Sequence, residues 1–255
     1  MQRIIARLDI KNGYVIKGIH LEGQRRIGDP IEIAKQYYQN SVDEILIMDS
    51  VASLYGRNNI FEMISQACKS VFVPITMGGG IRSLDDVKAA LNSGADKVAI
   101  NSAIVNNPEL VNEISNIYGS QILVASIEAK QKNDNWEVFV NNGREPTGIN
   151  VINWAKELEK RGIGELLITS IDKEGTQRGF DLELYSQLEK KVNVPIIASG
   201  GAGNINHIKY LDENTRVQGI ALASVLHYKK LEVNEIKSVL PNSLIRNFKI
   251  NDNYN

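Results

Sequence analysis

The chain has 255 residues, 29 Lys plus Arg against 30 Asp plus Glu, a net charge of −1 and a single cysteine. A near-neutral balance without a block of like charge lacks the electrostatic footprint that a nucleic acid or an anionic membrane requires, so neither is expected as a partner. One cysteine, Cys68, cannot close an internal disulfide, and the opening MQRIIARLDI has no secretory apolar core, which points to the cytoplasm.

In chain order, short apolar runs predict strands near Ile4–Ile10, Glu44–Asp49, Phe72–Met77, Lys97–Asn101, Gln121–Glu128, Glu165–Ser170, Val194–Ser199 and Val217–Leu222. Residues 11–29 read as a long loop after the first strand. Amphipathic stretches between the runs predict helices at Pro30–Gln39, Leu84–Asn92, Pro108–Tyr118, Val151–Lys160 and Leu182–Lys191, several opened by a capping residue such as Asp29, Asn150 or Asp181. This alternation is the signal of a parallel sheet covered by helices, and eight such units in about 250 residues is the size of a TIM barrel. The expected fold is therefore α/β, a (β/α)8 TIM barrel in one domain over residues 1–246, with the Asn-rich residues 247–255 as a frayed tail.

Segments about 120 residues apart echo one another. DEILIMD (Asp43–Asp49) answers GELLITS (Gly164–Ser170), VPITMGGG (Val73–Gly80) answers VPIIASGG (Val194–Gly201), and AINSAIV (Ala99–Val105) answers IALASVL (Ile220–Leu226). The barrel reads as two half-barrels, residues 1–118 and 119–246, with matching features on opposite sides of its mouth. That arrangement suits a substrate with two similar ends.

Active sites of such barrels lie at the C-terminal ends of the strands. Glycines follow the third strand (Gly78, Gly79, Gly80) and the seventh (Gly200, Gly201, after Ser199), where their backbone N–H groups can approach an anion. Asn101 and Ser102 follow the fourth strand and Ser224 the eighth, completing two phosphate cradles and implying a bis-phosphorylated small molecule. Asp9 ends the first strand and Glu128 its counterpart, the fifth; two carboxyls in different environments can divide general acid and general base work. Lys17 can reach a phosphate or a developing negative charge from the first loop, and Asp49, Thr169 and Ser170 are further polar candidates at strand ends. At the other end of the barrel Arg3, Glu44, Lys97 and Glu165 begin strands one, two, four and six. They form either a salt-bridge plug or a gate for something small. His20, His207 and His227 are scattered without metal-ligand spacing, and no GxGxxG follows the first strand, so no metal, nicotinamide or flavin is expected.

GDPIEIAKQY (Gly28–Tyr37), GGGIRSLDDVKAALNSGADKVAINSAIV (Gly78–Val105), GREPTG (Gly143–Gly148), DLEL (Asp181–Leu184) and IASGGAGN (Ile197–Asn204) resemble the HisF family, the cyclase subunits of imidazole glycerol phosphate synthase. The isomerase HisA shares the half-barrels and cradles, but KVAINSA and GREPTG resemble the cyclase. The resemblance implies a heterodimer with a HisH-type glutaminase docked on the barrel floor. Ammonia then passes the ring of Arg3, Glu44, Lys97 and Glu165 and reacts with PRFAR; cyclisation with C–N cleavage gives imidazole glycerol phosphate and AICAR. It also implies Asp9 as a catalytic acid with Glu128 as its acid–base partner. Lys17, Asp49, Asn101, Thr169 and Ser199 match positions of the family's site, and Gly80, Ser102, Gly175, Gly201 and Ser224 match its phosphate contacts.

Three positions depart from the family: Glu128 and Glu174 where Asp is usual, and Arg7 where a small residue is usual. Alternation along the first strand puts Arg3, Ile5, Arg7 and Asp9 on one face, so Arg7 is expected to point inward below Asp9. A buried guanidinium needs a carboxylate, and Glu128 is the partner expected for it. The departures also resemble a paralogous branch in which a HisF-like barrel serves as ammonia source or conduit for sugar amidination in surface-polysaccharide or flagellin-glycan pathways.

Overall fold

The structure, a computed structural model, describes residues 2–50 and 60–240. The expected frayed tail lies outside them. The chain opens with β1 (Arg3–Lys11), which runs directly into an antiparallel hairpin, β2 (Tyr14–Ile19) and β3 (Glu22–Gly28). The segment read as a loop is thus a hairpin that turns at the left-handed residues His20 and Leu21, and Asn12 and Gly13 make the turn that leads β1 into it. Helix α1 (Pro30–Gln39) follows, with the Asp29 side chain accepting from the Ile31 and Glu32 backbone N–H groups and Pro30 fixing the first turn.

The pattern then repeats: β4 (Glu44–Asp49), α2 (Ile60–Ala67), β5 (Ile75–Gly78), α3 (Leu84–Asn92), β6 (Lys97–Ile100), α4 (Ser102–Asn106) and α5 (Glu109–Tyr118). β7 (Leu123–Lys132) again continues into a hairpin, β8 (Asn135–Val140) and β9 (Glu145–Asn150), before α6 (Val151–Lys160). The last quarter comprises β10 (Glu165–Ser170), α7 (Leu182–Glu189), β11 (Ile196–Ser199), α8 (Ile205–Asn214), β12 (Gly219–Leu222), α9 (Ser224–His227) and α10 (Val233–Val239). The third strand starts later than the sequence suggests, at Ile75, because Pro74 has no N–H to give a ladder and Val73 precedes it.

Parallel pairing runs β1–β4–β5–β6–β7–β10–β11–β12 and back from β12 to β1, which closes eight strands into a barrel. The (β/α)8 architecture is that of a TIM barrel. Alternation sorts the side chains into two cores. Ile4, Ala6, Leu8 and Ile10 face outward into the large cluster that the helices cover. Ile5, Leu46, Ala99, Val124, Leu167, Ile197 and Ala221 point inward and fill one layer of the barrel interior. Both extensions of the sheet follow strands on opposite sides of the barrel, β1 and β7. Among the described residues no helix is long and apolar enough to cross a membrane.

Candidate active site

Above the inward apolar layer, β1 carries Arg7 and then Asp9. Both are buried, and Arg7 points inward as alternation requires. Its Nε donates to Asp9 Oδ1 at 2.9 Å, and its Nη1 spans the barrel to Thr169 Oγ1 on β10 at 2.8 Å and Ser199 Oγ on β11 at 3.1 Å. The two hydroxyls are register neighbours, which is why one guanidinium nitrogen reaches both. The carboxylate that compensates Arg7 is therefore Asp9; the expected pair of Arg7 with Glu128 is not formed. Strand direction explains the difference, since Asp9 is two residues ahead on the same face, whereas Glu128 stands on the far side of the barrel.

Glu128 has other partners. Its Oε2 accepts from the Gly143 backbone N–H at 2.7 Å and from Asn101 Nδ2 at 3.1 Å. Burial is the main influence and pushes its carboxyl up to about 7, against the pull of Gly143, Arg7 and Asn101. Asp9 is buried as well, but there Arg7 and Lys17 together outweigh desolvation and hold the carboxyl below the usual aspartate range. Two buried carboxyls at the same barrel mouth thus differ in direction because one touches cations and the other touches neutral donors.

Lys17 comes from β2, with Nζ 3.9 Å from Asp9 Oδ2 and in contact with the Glu174 carboxylate. Burial lowers its ammonium to about 8, with Asp9 opposing and Arg7 reinforcing, so most of it is still charged at neutral pH. The first hairpin is tied down there too: the His20 N–H donates to Glu174 O at 2.8 Å, and His20 Nδ1 lies 2.7 Å from Ile171 O.

The clefts on the two sides differ. The first, of about 180 Å³, is lined by Asp9, Asp49, Gly80, Asn101, Ser102 and Glu128, with Arg7 and Gly79, so it gathers eight of the residues singled out in the sequence. The second, lined by Gly175, Ser199, Gly201 and Ser224 with Glu174, has only about 20 Å³, room for roughly one water. Backbone geometry makes the glycines necessary at both. Gly79 has φ +90° and a Cβ there would sit 2.3 Å from Asp49 O; Gly201 has φ +109° and its Cβ would sit 2.1 Å from Gly179 O.

Thr169 and Ser199 are buried beneath Arg7 and engage it rather than opening directly onto the larger cleft. Ser170 faces the other way: its hydroxyl donates to Asp181 Oδ2 at 3.0 Å, the residue that caps α7, so it belongs to the scaffold. Sequence reasoning missed the tip of the second hairpin. Asn141, Asn142 and Gly143 all have positive φ, at 54°, 59° and 73°. The loop lays the Gly143 N–H on Glu128, and Asn141 N–H donates to Ser102 Oγ at 3.1 Å. An Asn-Asn-Gly run after a β-prone segment is a hairpin signature and was the available signal.

On the floor, Arg3 and Lys97 alternate with Glu44 and Glu165 in a closed ring. Arg3 contacts both carboxylates, and Lys97 Nζ lies 3.3 Å from Glu44 Oε2 and 3.1 Å from Glu165 Oε2. All four residues named for the floor meet there.

A family model described as a histidine biosynthesis protein matches residues 3–232. Curated relatives named imidazole glycerol phosphate synthase subunit HisF cover most of the chain. One from Legionella pneumophila is 55% identical over 204 residues, 80% of this chain and 96% of its own length. One from Trichormus variabilis is 46% identical over 243 residues, 94% of this chain and 95% of its own. One from Lactococcus lactis subsp. lactis is 45% identical over 241 residues, 94% and 93% of the two chains. A closed barrel, a carboxyl on each of two opposite strands and this likeness over nearly the full length agree: the chain belongs to the histidine biosynthesis protein family, among its HisF subunits.

Proposed function

We propose that the chain is the cyclase subunit of imidazole glycerol phosphate synthase, converting PRFAR with ammonia into imidazole glycerol phosphate and AICAR. The observation that carries this reading is the pair of buried carboxyls, Asp9 on β1 and Glu128 on β7, with a glycine-lined cleft to either side. The substrate has a phosphate at each end and its reacting centre between them, and the mouth offers that order of features. Gly80, Ser102 and Asn101 serve one phosphate end, with Asp49 beside them; Gly175, Gly201 and Ser224 serve the other. The recess under Gly201 has only about 20 Å³, but Gly175 and Ser224 also line a wider opening of about 480 Å³ with Lys17, from which a phosphate can approach them. Thr169 and Ser199 act through Arg7.

Ammonia is supplied by a HisH-type glutaminase on the opposite face. The relatives' names describe a subunit, and the ring of Arg3, Glu44, Lys97 and Glu165 stands at the floor with an uncharged layer above it. An apolar layer of that kind favours neutral ammonia over ammonium, because a bare cation there would lose its solvation.

The test is to supply PRFAR with an ammonium salt and follow loss of substrate absorbance. Turnover in the wild type that disappears in Asp9→Asn is the expected result. A folded protein that binds the bis-phosphate without turning it over would overturn the reading.

A further inference from the structure

We propose that Arg7 is a positioning residue that holds Asp9 as the ionised base and leaves Glu128 as the acid that carries the proton. This rests on the cyclase reading, and it reverses the role that the family resemblance implies for Asp9. The argument is one of partners. Asp9 Oδ1 receives the Arg7 Nε–H at 2.9 Å, and Lys17 Nζ stands 3.9 Å from Oδ2, so one carboxyl faces two cations. Glu128 faces none at hydrogen-bonding distance. Its two donors, Gly143 N–H and Asn101 Nδ2–H, are neutral and both converge on Oε2. Oε1 is left without a protein donor among the described residues, on a side chain that lines the larger cleft, which makes it the oxygen to hold a proton and present it.

Neighbouring groups agree with this division. Around Asp9 stand Arg7, Lys17 and His227, with Glu174 drawing on Lys17 from the far side. Burial, then the charge on Lys17, holds the His227 ring down to about 4, so it is neutral and adds no competing cation. Asp49 and Arg82 line the same cleft as Glu128, and the charges that act on Glu128 are Arg7, which favours its ionised form, and Asp9, which opposes it. Arg7 itself is held from both ends, by Asp9 at Nε and by Thr169 and Ser199 at Nη1, so it cannot swing to Glu128 without giving up three hydrogen bonds.

The proton count closes. Ammonia condenses with the ketone carbon of PRFAR, the carbonyl oxygen leaving as water with two of ammonia's protons; that nitrogen then attacks the formimino carbon with its lone pair, and a proton passes to the Asp9 carboxylate. As the C–N bond breaks, the leaving nitrogen keeps the electron pair and takes the proton from Glu128 Oε1. Asp9 is then protonated and Glu128 ionised, and one proton returning through water at the mouth restores both.

The experiment is a carbon-13 titration of the Asp and Glu carboxyls of the full chain, alongside the pH dependence of PRFAR turnover at a constant concentration of free ammonia. In the wild type Asp9 is expected to titrate below the ordinary aspartate range and Glu128 near 7. Arg7→Gln should move the Asp9 midpoint up by about one unit or more, and Arg7→Lys, which keeps the cation, should return most of that shift. Turnover should fall about tenfold per pH unit above the Glu128 midpoint, as an essential acid loses its proton. A Glu128 that titrates near 4, an Asp9 midpoint unmoved by Arg7→Gln, or turnover that rises through the Glu128 midpoint overturns the assignment. Should Arg7→Gln fail to fold, the wild type and Arg7→Lys still report which carboxyl holds the proton. Absence of any wild-type turnover would instead defeat the cyclase reading, while the titration would still decide the protonation of the pair.

Discussion

Arg7 and Asp9 lie two residues apart on β1 and are hydrogen-bonded to each other, Nε to Oδ1 at 2.9 Å, inside the barrel mouth. A strand that turns every second side chain to the same face puts a charge and its counter-charge together at no cost in loop closure. Removing one partner of such a buried pair strands the other, and typical losses are about 3–5 kcal/mol. Lys17 remains near Asp9, so Arg7→Ala is expected at the lower end, about 3 kcal/mol at pH 7 by urea unfolding. Because Asp9 is held below its usual 3.8, the stabilisation is complete above that value and is lost as the pH falls through the lower folded value. The deficit of the variant should therefore be full at pH 7 and narrow below pH 4; an equal deficit at both would show that Asp9 is not the partner that matters.

Glu128 carries the opposite linkage. Its folded value of about 7 lies above the ordinary 4.5, so between those values the native state keeps a proton that the unfolded chain has released. Stability attributable to this group falls as the pH rises from 4.5 to 7 and levels off above, a change of about 3 kcal/mol at 1.36 kcal/mol per unit. Glu128→Gln keeps the shape and the acceptor for Gly143 but cannot ionise. It should match the wild type near pH 4 and be more stable at pH 8. Lower stability at pH 8 would contradict the buried, proton-holding carboxyl.

Two glycines with positive φ separate strain from collision. Gly148, at φ +75°, has open space where a Cβ would go, whereas Gly201, at φ +109°, would place one 2.1 Å from Gly179 O. Gly148→Ala should cost about 1 kcal/mol, from left-handed backbone alone. Gly201→Ala should cost more and weaken binding of a bis-phosphate, measured by calorimetry, because the loop beside Ser224 must move. Equal costs at the two positions would count against a tightly built second cleft.

The floor ring separates stability from transfer. Its cations are about one-fifth exposed, so Lys97→Ala is expected to lose only about 1 kcal/mol by urea unfolding. With a glutaminase partner present, glutamine-driven turnover should fall several-fold while ammonium-driven turnover stays close to wild type. Equal loss in both assays would make the ring a structural plug.

The sequence by itself determined the architecture and most of the mouth. Eight apolar runs with amphipathic stretches between them leave few ways to bury both faces of a parallel sheet, and strand-end position alone marked Asp9, Asn101 and Glu128. Alternation even fixed that Arg7 points inward. Both hairpins escaped notice although Tyr14–Ile19 and Asn135–Val140 are β-prone, because their second strands, Glu22–Gly28 and Glu145–Asn150, are polar and give no strand signal of their own. Only the tertiary structure decided the partners. Whether a buried guanidinium meets Asp9 or Glu128 depends on the barrel's width and register, which place Thr169 and Ser199 under its far end and the Asn141–Gly143 turn over Glu128. Those contacts join strands far apart in the chain, and from them follows which carboxyl keeps its charge.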